Sequence, residues 1–280
     1  MRQEKRVQIN RQWLHNVANS DNLRGTRTQN RLRSQLHQGQ ATFGVTVGIG
    51  HPEVSYTLGN LGLDWINFDM QHGVLGVETL TAMIQAMSHS QTVPIVRVPS
   101  NEPAIINKAL DFGASGVIVP LVNCREDAEK AVRSSKYPPK GTRSWAQRAT
   151  QGDPDYAATA NTELMVIPQI ETETSLRNLE EIICTDGIEA VFCGPYDLSM
   201  SLGIFRQFDN PKFIKALDSI VSTCRAHDVA PGLLAPIGSV EENLRRGFKL
   251  ISLGGDLPML KDGISKALET ARNASQSRSI

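Results

Sequence analysis

The sequence of 280 residues lacks the features that mark several protein classes. Its formal net charge is zero, from 29 basic and 29 acidic residues, so no overall electric field favours nucleic acid or an anionic membrane as a partner. No apolar stretch approaches the ~20 residues of a membrane span, and no signal-peptide core occurs at the start. No GxGxxG or GxxxxGK(S/T) phosphate loop follows an apolar run, which disfavours a nucleotide-binding fold.

The four cysteines are too few and too scattered for a disulfide framework, and none forms a CxxC pair. One of them, Cys193, lies inside an apolar run, where a free cysteine behaves as a small hydrophobic residue. We expect reduced structural thiols in an intracellular, cytoplasmic protein. The cysteines are Cys124, Cys184, Cys193 and Cys224.

The two ends differ from the rest of the chain. Residues 1–29 are polar and basic with little apolar periodicity, which predicts a disordered or subunit-packing extension. A mitochondrial presequence is an alternative, but Glu4 and Asp21 are atypical of acid-poor targeting peptides. Residues 273–280 form a polar tail that we expect to be frayed.

Eight short apolar runs alternate with helix-length segments across residues 30–272. Nearly continuous apolar runs are typical of parallel strands that helices cover. The chain also exceeds the about 250 residues of a TIM (β/α)8 barrel, so we predict that single α/β domain rather than an open sheet. The predicted strands are 43–47, 65–69, 94–98, 116–120, 165–170, 190–194, 231–235 and 249–254.

Amphipathic helical stretches lie between these runs, and Gly113 and Gly247 occupy positions that suit helix C-caps. One connection, residues 137–160, is long and reads as a lid or binding loop. Its Arg143 and Arg148 are expected in solvated or interface contacts, or near a second anionic group. The helical stretches are 77–90, 102–114, 126–135 and 211–228.

In such a barrel the chemistry takes place at the carboxyl ends of the strands. Those ends offer acid–base groups, a cation and oxygen ligands, but no Ser or Cys beside a base and no lysine for a Schiff base. The candidate residues in chain order are Asp69, His72, Arg97, Gln169, Glu171 and Asp197.

Glu171 and Asp197 close two successive strands, so their carboxylates should converge. Like charges at short distance repel, and a divalent cation such as Mg²⁺ or Mn²⁺ would compensate them. Either residue could instead cap the helix that follows it. The Gly194–Pro195 turn before Asp197 brings bare backbone near the site, where its N–H groups could hold a carboxylate.

Asp69 and His72 lie three residues apart, so the carboxylate could orient the imidazole as a general base. The alternative is a histidine with only a capping or structural role. Arg97 in its apolar strand requires a carboxylate partner, for instance Asp69, or an anionic ligand. His51, followed by Pro52, is interpreted as a turn or cap residue.

At these positions the sequence resembles the HpcH/HpaI family of metal-dependent class II pyruvate aldolases, in the phosphoenolpyruvate/pyruvate barrel superfamily. The likeness runs from about Asn30 to about residue 270. It rests on five motifs in order, which are specific together. They are GLDWINFDMQHG, PIVRVPSNEP, the GASGVIVPLVNCREDAEKAVRSSKYPPKGTRS block, VIPQIET and VFCGPYDLS.

The resemblance implies reversible cleavage of a 4-hydroxy-2-oxo acid to pyruvate, or an analogue, and an aldehyde. It implies a divalent metal (Mg²⁺ or Mn²⁺, with Co²⁺ as a further candidate) and a trimer or hexamer that exchanges a C-terminal helix, here residues 257–272. Oxaloacetate decarboxylation, macrophomate-synthase-like enolate chemistry and a non-catalytic paralogue that binds 2-oxo acids stay open as alternatives. The residues implied are Glu171 and Asp197 for the metal, His72 oriented by Asp69 as base, and Arg97, Gln169, Gly194, Tyr196, Asp197 and Leu234 for the substrate.

The chain departs from the family pattern at three places. Gln71 stands where the family usually has a glutamate, which removes a negative charge near the expected metal site. The loop after Arg143 is shorter than in several relatives, so the aldehyde pocket does not transfer. Tyr196 replaces a small residue and would narrow the site.

Overall fold

The computed structural model describes residues 29–147, 153–235 and 237–276. The predicted extension up to residue 28, Arg148 and residues 277–280 of the tail lie outside the described residues. Residues 273–276, predicted to fray, instead continue the last helix.

Eight parallel strands form a closed barrel in which each strand pairs with the next along the chain and β8 pairs with β1. The predicted TIM barrel is therefore confirmed, and each strand boundary lies within one residue of its prediction. The strands are β1 (Thr42–Val47), β2 (Trp65–Asp69), β3 (Val93–Arg97), β4 (Gly116–Val119), β5 (Met165–Ile170), β6 (Ala190–Cys193), β7 (Ala230–Leu234) and β8 (Leu250–Gly255).

Twelve α-helices and a short 3₁₀ turn (Ile237–Ser239) accompany the strands in the described part of the chain. The helices are α1 (Arg31–His37), α2 (Pro52–Gly59), α3 (Val77–Ala86), α4 (Pro103–Asp111), α5 (Arg125–Ser135), α6 (Tyr156–Glu163), α7 (Glu173–Arg177), α8 (Leu179–Ile183), α9 (Pro195–Ser201), α10 (Pro211–Ala226), α11 (Val240–Arg246) and α12 (Asp256–Gln276).

The inside of the barrel is filled by side chains, among them two aromatic rings. The Trp65 ring is fully buried and meets Phe192 edge-to-face, with ring centroids 6.2 Å apart. Gly44 on β1 makes room for it, because a Cβ there would lie 2.4 Å from the indole. Aromatic rings prefer this edge-to-face arrangement over a face-to-face stack. The barrel is thus a packed core and not a channel.

Helix α1 packs its apolar face against the same interior residues. Leu32 and Leu36 are buried in one cluster with Trp65. The side chain of Asn30 caps the helix by accepting from the Arg33 amide at 3.2 Å. Its Nδ2 also donates to the carbonyl oxygens of Ser115 and Glu163, at 3.1 and 2.9 Å. These bonds tie the start of the helix to the amino-terminal side of the barrel.

Helix α12 has no buried residue, and its main contacts within the chain are with β1 and β8. Four apolar side chains spaced three or four residues apart share one face of the helix, and each is about half exposed. No helix among the described residues is long and apolar enough to cross a membrane. The four side chains are Leu257, Leu260, Ile264 and Leu268.

The long connection between β4 and β5 differs in part from its prediction. Helix α6 begins at Tyr156, inside the expected loop. Arg143 was predicted in solvated or interface contacts, or near a second anionic group. The expectation of solvent contact is wrong, because its side chain is fully buried within the chain. It donates to Asp111 at 2.8 Å and to the Tyr156 hydroxyl at 3.1 Å, and its guanidinium lies 4.5 Å from the centroid of the Tyr137 ring. A buried guanidinium needs such partners.

The capping predictions are confirmed at two positions. His51 is the N-cap of α2, and its Nδ1 accepts from the Glu53 amide at 3.2 Å. Gly247 is the C-cap of α11 with φ of +120°, a conformation that favours glycine.

Candidate active site

Asp69 and Arg97 form a two-pronged ion pair at the carboxyl ends of β2 and β3. The residues are register partners, so their side chains leave the sheet side by side. Arg97 Nε donates to Asp69 Oδ1 at 3.0 Å, and Nη2 donates to Oδ2 at 2.7 Å. Burial alone would raise the pKa of Asp69, but the bonds and charge of Arg97 lower it below its ordinary value. The pair keeps a charged carboxylate and a fixed guanidinium at the barrel mouth.

His72 lies beside this pair, but its imidazole does not bond to Asp69. The amides of Gln71 and His72 donate to Asp69 Oδ1, at 3.0 and 3.2 Å, so Asp69 contacts the main chain of this turn. The expected carboxylate–imidazole bond is therefore replaced by the pair with Arg97. The His72 side chain is exposed and accessible from solvent. Its role as a base stays a prediction.

Glu171 is a buried carboxylate that follows β5 directly. Its Oε1 accepts from the Leu121 amide at 2.7 Å, and its Oε2 accepts from Gln169 Nε2. Burial raises the pKa of Glu171, and the charge of nearby Asp197 acts in the same direction. The Leu121 and Gln169 donors and the charge of Arg97 oppose that rise. Glu171 is thus held in place and lies within electrostatic reach of both Asp197 and Arg97.

Asp197 lies in the first turn of α9 and is exposed. Neither it nor Glu171 caps a helix: Thr172 caps α7, and Gly194 precedes α9 without a side-chain cap. A Cβ at Gly194 would lie 3.0 Å from Glu171 Oε2, so the glycine allows the chain to pass over that carboxylate. These contacts remove the capping alternative for both acids.

Tyr196 and Leu234 complete the predicted set. The Tyr196 ring packs edge-to-face on Phe208 at 5.5 Å between centroids, with the Arg206 guanidinium 5.9 Å from its ring. Leu234 ends β7 and packs against the barrel interior. Leu234 thus lies at the same carboxyl end of the barrel as Glu171, and Tyr196 belongs to the helix that follows β6. Their contacts with substrate stay predictions.

The residues present fit a divalent cation. Glu171 and Asp197 would supply hard oxygen ligands, and Gln169 Oε1 is buried beside Glu171 with no hydrogen-bond partner among the described residues. No group of three or more His, Cys, Asp or Glu side chains in the described ranges could hold a metal ion. A cation at this mouth would therefore depend on two carboxylates, with water and substrate oxygens as further ligands, as Mg²⁺ commonly does.

Two further residues act at this mouth and were missed by the reasoning from sequence. Leu121 contributes only its main-chain N–H, which leaves no trace in a residue pattern. Asp256 follows β8 and accepts from the amides of Gly48 and Ile49, at 3.1 and 2.9 Å. Its position directly after a strand is the signal that could have identified it. It shapes the loop after β1.

Comparison with known proteins gives a consistent result. A sequence model described as HpcH/HpaI aldolase/citrate lyase matches residues 44–262. The chain is 32% identical over 246 residues to a 5-keto-4-deoxy-D-glucarate aldolase from Escherichia coli O139:H28, which covers 86% of this chain and 96% of the relative.

Solved structures agree with this match. An HpcH/HpaI aldolase/citrate lyase family protein from Burkholderia cenocepacia J2315 superposes with a TM-score of 0.84 at 29% identity, covering 87% of this chain and 100% of the other. The citrate synthase SbnG superposes with a TM-score of 0.81 at 29% identity, covering 89% of this chain and 100% of the other.

Proposed function

Because the chain belongs to the HpcH/HpaI aldolase/citrate lyase family and is a carbon–carbon lyase, we propose that it cleaves a 4-hydroxy-2-oxo acid to pyruvate and an aldehyde. The family resemblance drawn from the motifs is confirmed by these matches. The substrate, the metal and the roles of single residues are proposals that rest on the geometry at the barrel mouth.

The observation that carries the proposal is the juxtaposition of Glu171 with Asp197 and Arg97. A buried carboxylate, a second carboxylate within electrostatic reach and a fixed guanidinium are grouped at one end of the barrel. This arrangement suits a substrate that has a carboxylate and a 2-oxo group and that gains negative charge as its carbon–carbon bond breaks.

Glu171 and Asp197 would hold the divalent cation, with Gln169 close by. When bound, the cation polarises the 2-oxo group and stabilises the charge that develops on its oxygen. Magnesium and manganese suit the oxygen ligands, with cobalt as a further candidate.

Arg97 binds the 2-oxo oxygen, and Asp69 holds the guanidinium in place through Nε and Nη2. His72, exposed at the mouth, accepts the proton of the 4-hydroxyl group. The C3–C4 bond then breaks, its electrons pass to the C2 oxygen as an enolate, and the aldehyde leaves. The first-turn amides of α9 at Tyr196 and Asp197 receive the substrate carboxylate. Protonation of C3 gives pyruvate.

Pyruvate formation from 5-keto-4-deoxy-D-glucarate tests the proposal. We expect activity that EDTA abolishes and that Mg²⁺ or Mn²⁺ restores, and a Glu171→Gln variant that loses it. The matched control is Glu173→Gln, an exposed carboxylate two residues away that should leave activity unchanged. Pyruvate release by thoroughly metal-stripped protein would contradict the mechanism. Faster turnover of oxaloacetate would favour the decarboxylase alternative.

We also propose a homo-oligomer, a trimer or hexamer, assembled through α12. The support is the uncovered apolar face of that helix, because exposed apolar side chains in a continuous stripe favour a packed partner. The chain's own barrel buries no residue of the helix.

A further inference from the structure

Leu121 adopts an unusual backbone conformation beside Glu171, one of the two proposed metal ligands. Its φ is +55°, a left-handed conformation that side chains with a Cβ rarely adopt. The side chain is exposed, so packing of the leucine does not explain the strain. The next residue, Val122, is fully buried and anchors the loop. The turn directs the Leu121 amide at Glu171 Oε1, 2.7 Å away. Strained backbone of this kind concentrates at functional sites.

The side chain of Asn123 bonds this turn to a second loop. Its Nδ2 donates to the Leu121 carbonyl oxygen at 3.0 Å. Its Oδ1 accepts from the Thr172 hydroxyl at 2.5 Å. Asn123 therefore links the loop after β4, which supplies the amide, to the loop after β5, which carries Glu171.

Thr172 and Ser175 fix the second loop. Thr172 Oγ1 accepts from the Ser175 amide at 2.9 Å, and Ser175 Oγ accepts from the amides of Thr172 and Glu171 at 3.0 and 3.3 Å. Ser175 is fully buried. The chain of bonds thus runs from Glu171 Oε1 through Leu121, Asn123, Thr172 and Ser175 back to the Glu171 main chain.

We propose that Asn123 and Thr172 are positioning residues that orient Glu171 for metal binding by holding the left-handed turn at Leu121. The inference rests on the proposed function, since it assumes that Glu171 is a metal ligand. Without these two side chains the Leu121 amide is free to turn away. The carboxylate then loses a fixed donor and its preset orientation, so the cation must order it on binding. Changes beyond the direct ligands often weaken metal binding about 10- to 100-fold.

Two pairs of variants separate positioning from general stability. Thr172→Val removes the hydroxyl but keeps the shape, and Thr172→Ser keeps the hydroxyl. Asn123→Ala removes both side-chain hydrogen bonds of Asn123, to the Leu121 carbonyl and from the Thr172 hydroxyl. The control is Asn161→Ala, because Asn161 bridges backbone in the same manner: it accepts from the Tyr137 amide at 2.7 Å and donates to the Tyr137 carbonyl at 3.0 Å, away from Glu171.

The measurement is the dissociation constant for Mn²⁺ without substrate, from the electron paramagnetic resonance signal of free Mn²⁺, with a thermal melt of each variant. We expect about tenfold weaker binding for Thr172→Val and Asn123→Ala, and binding within twofold of the parent for Thr172→Ser. Asn161→Ala should lower the melting temperature and leave Mn²⁺ affinity unchanged.

Two results would overturn the proposal, and they differ. If Glu171→Gln abolishes Mn²⁺ binding while Asn123→Ala and Thr172→Val bind as tightly as the parent, the positioning role fails and the metal site stands. If the parent protein does not bind Mn²⁺, or Glu171→Gln binds equally well, the metal site itself fails and the positioning role fails with it.

Discussion

Arg97 and Asp69 depend on each other at the level of single residues, because both are nearly buried. Removing one partner leaves an uncompensated charge, which costs about 3–5 kcal/mol in buried pairs. We predict that Arg97→Ala lowers the free energy of unfolding by about 3 kcal/mol in urea titrations and abolishes pyruvate formation.

The double variant Asp69→Ala/Arg97→Ala separates the two effects. It removes both charges but also the acceptor of the Gln71 and His72 amides, so only part of the lost stability should return while activity stays absent. A single Arg97→Ala variant as stable as the parent would contradict the assigned pair.

Gln71 is the second residue whose substitution is informative. Its Oε1 is buried and has no hydrogen-bond partner among the described residues. Gln71→Glu places a carboxylate there, at the position that the family resemblance puts near the proposed cation. We predict lower stability of the metal-free protein and about tenfold tighter Mn²⁺ binding, measured by thermal melts with and without Mn²⁺. Unchanged affinity would show that position 71 does not affect the metal site.

The positions of these residues could be predicted, and Asp69 was named as one possible partner of Arg97, but the sequence could not decide between that pair and a bond from Asp69 to His72. Asp69 ends its apolar run and Arg97 stands one residue before the end of its own, so their place at the mouth follows from the strand pattern. That Asp69 pairs with Arg97 and not with His72 depends on the register of β2 and β3. Register is a property of the folded sheet, and residue spacing within one segment does not reveal it. The burial of Arg143 against Asp111 could not be predicted either, because the two residues lie 32 positions apart in the sequence and meet only in the folded chain.

At the level of elements, α12 offers the sharpest test. Ile264→Glu together with Leu268→Glu should reduce the proposed trimer or hexamer to a smaller species, because charges on the apolar face oppose its burial. Light scattering coupled to size-exclusion chromatography measures the mass. The control is Lys266→Glu, an exposed charge change between the two positions on another face of the helix. An unchanged mass for the double variant would exclude this face as the interface.

The strands were predictable because helices cover them and make their sequences almost continuously apolar. β2 is buried at all five positions, and its predicted and observed bounds agree. Helix α1 was not predicted, since its seven residues expose polar side chains and bury only Leu32 and Leu36. The helix covers one end of the barrel, and that end exists only once all eight strands have paired.

At the scale of the whole molecule, the described residues include one buried lysine whose titration affects stability. Lys136 donates from Nζ to the Leu164 carbonyl oxygen at 2.5 Å. Burial lowers its pKa from 10.5 to about 8. Between these values the unfolded chain binds more protons than the folded protein, so stability rises with pH across that window. At about 1.4 kcal/mol per pKa unit the gain is about 3 kcal/mol.

We therefore predict that the free energy of unfolding, measured in urea from pH 7 to pH 10, rises less steeply in Lys136→Met than in the parent. The comparison with the variant is needed because the buried thiols have the opposite effect: they lower the free energy of unfolding as the pH rises. Burial raises the pKa of Cys224 to about 12 and that of Cys193 further, so the folded protein keeps both protons longer than the unfolded chain does. Parallel pH profiles for the two proteins would contradict the assignment.

The position of helix α1 determines from which end of the barrel a substrate can enter. Leu32 and Leu36 are buried in one cluster with Trp65, so the helix closes the amino-terminal end of the barrel. On the proposed function, the substrate then enters and both products leave through the one opening at the carboxyl ends of the strands. A molecule bound at that opening would therefore block substrate entry and product release together.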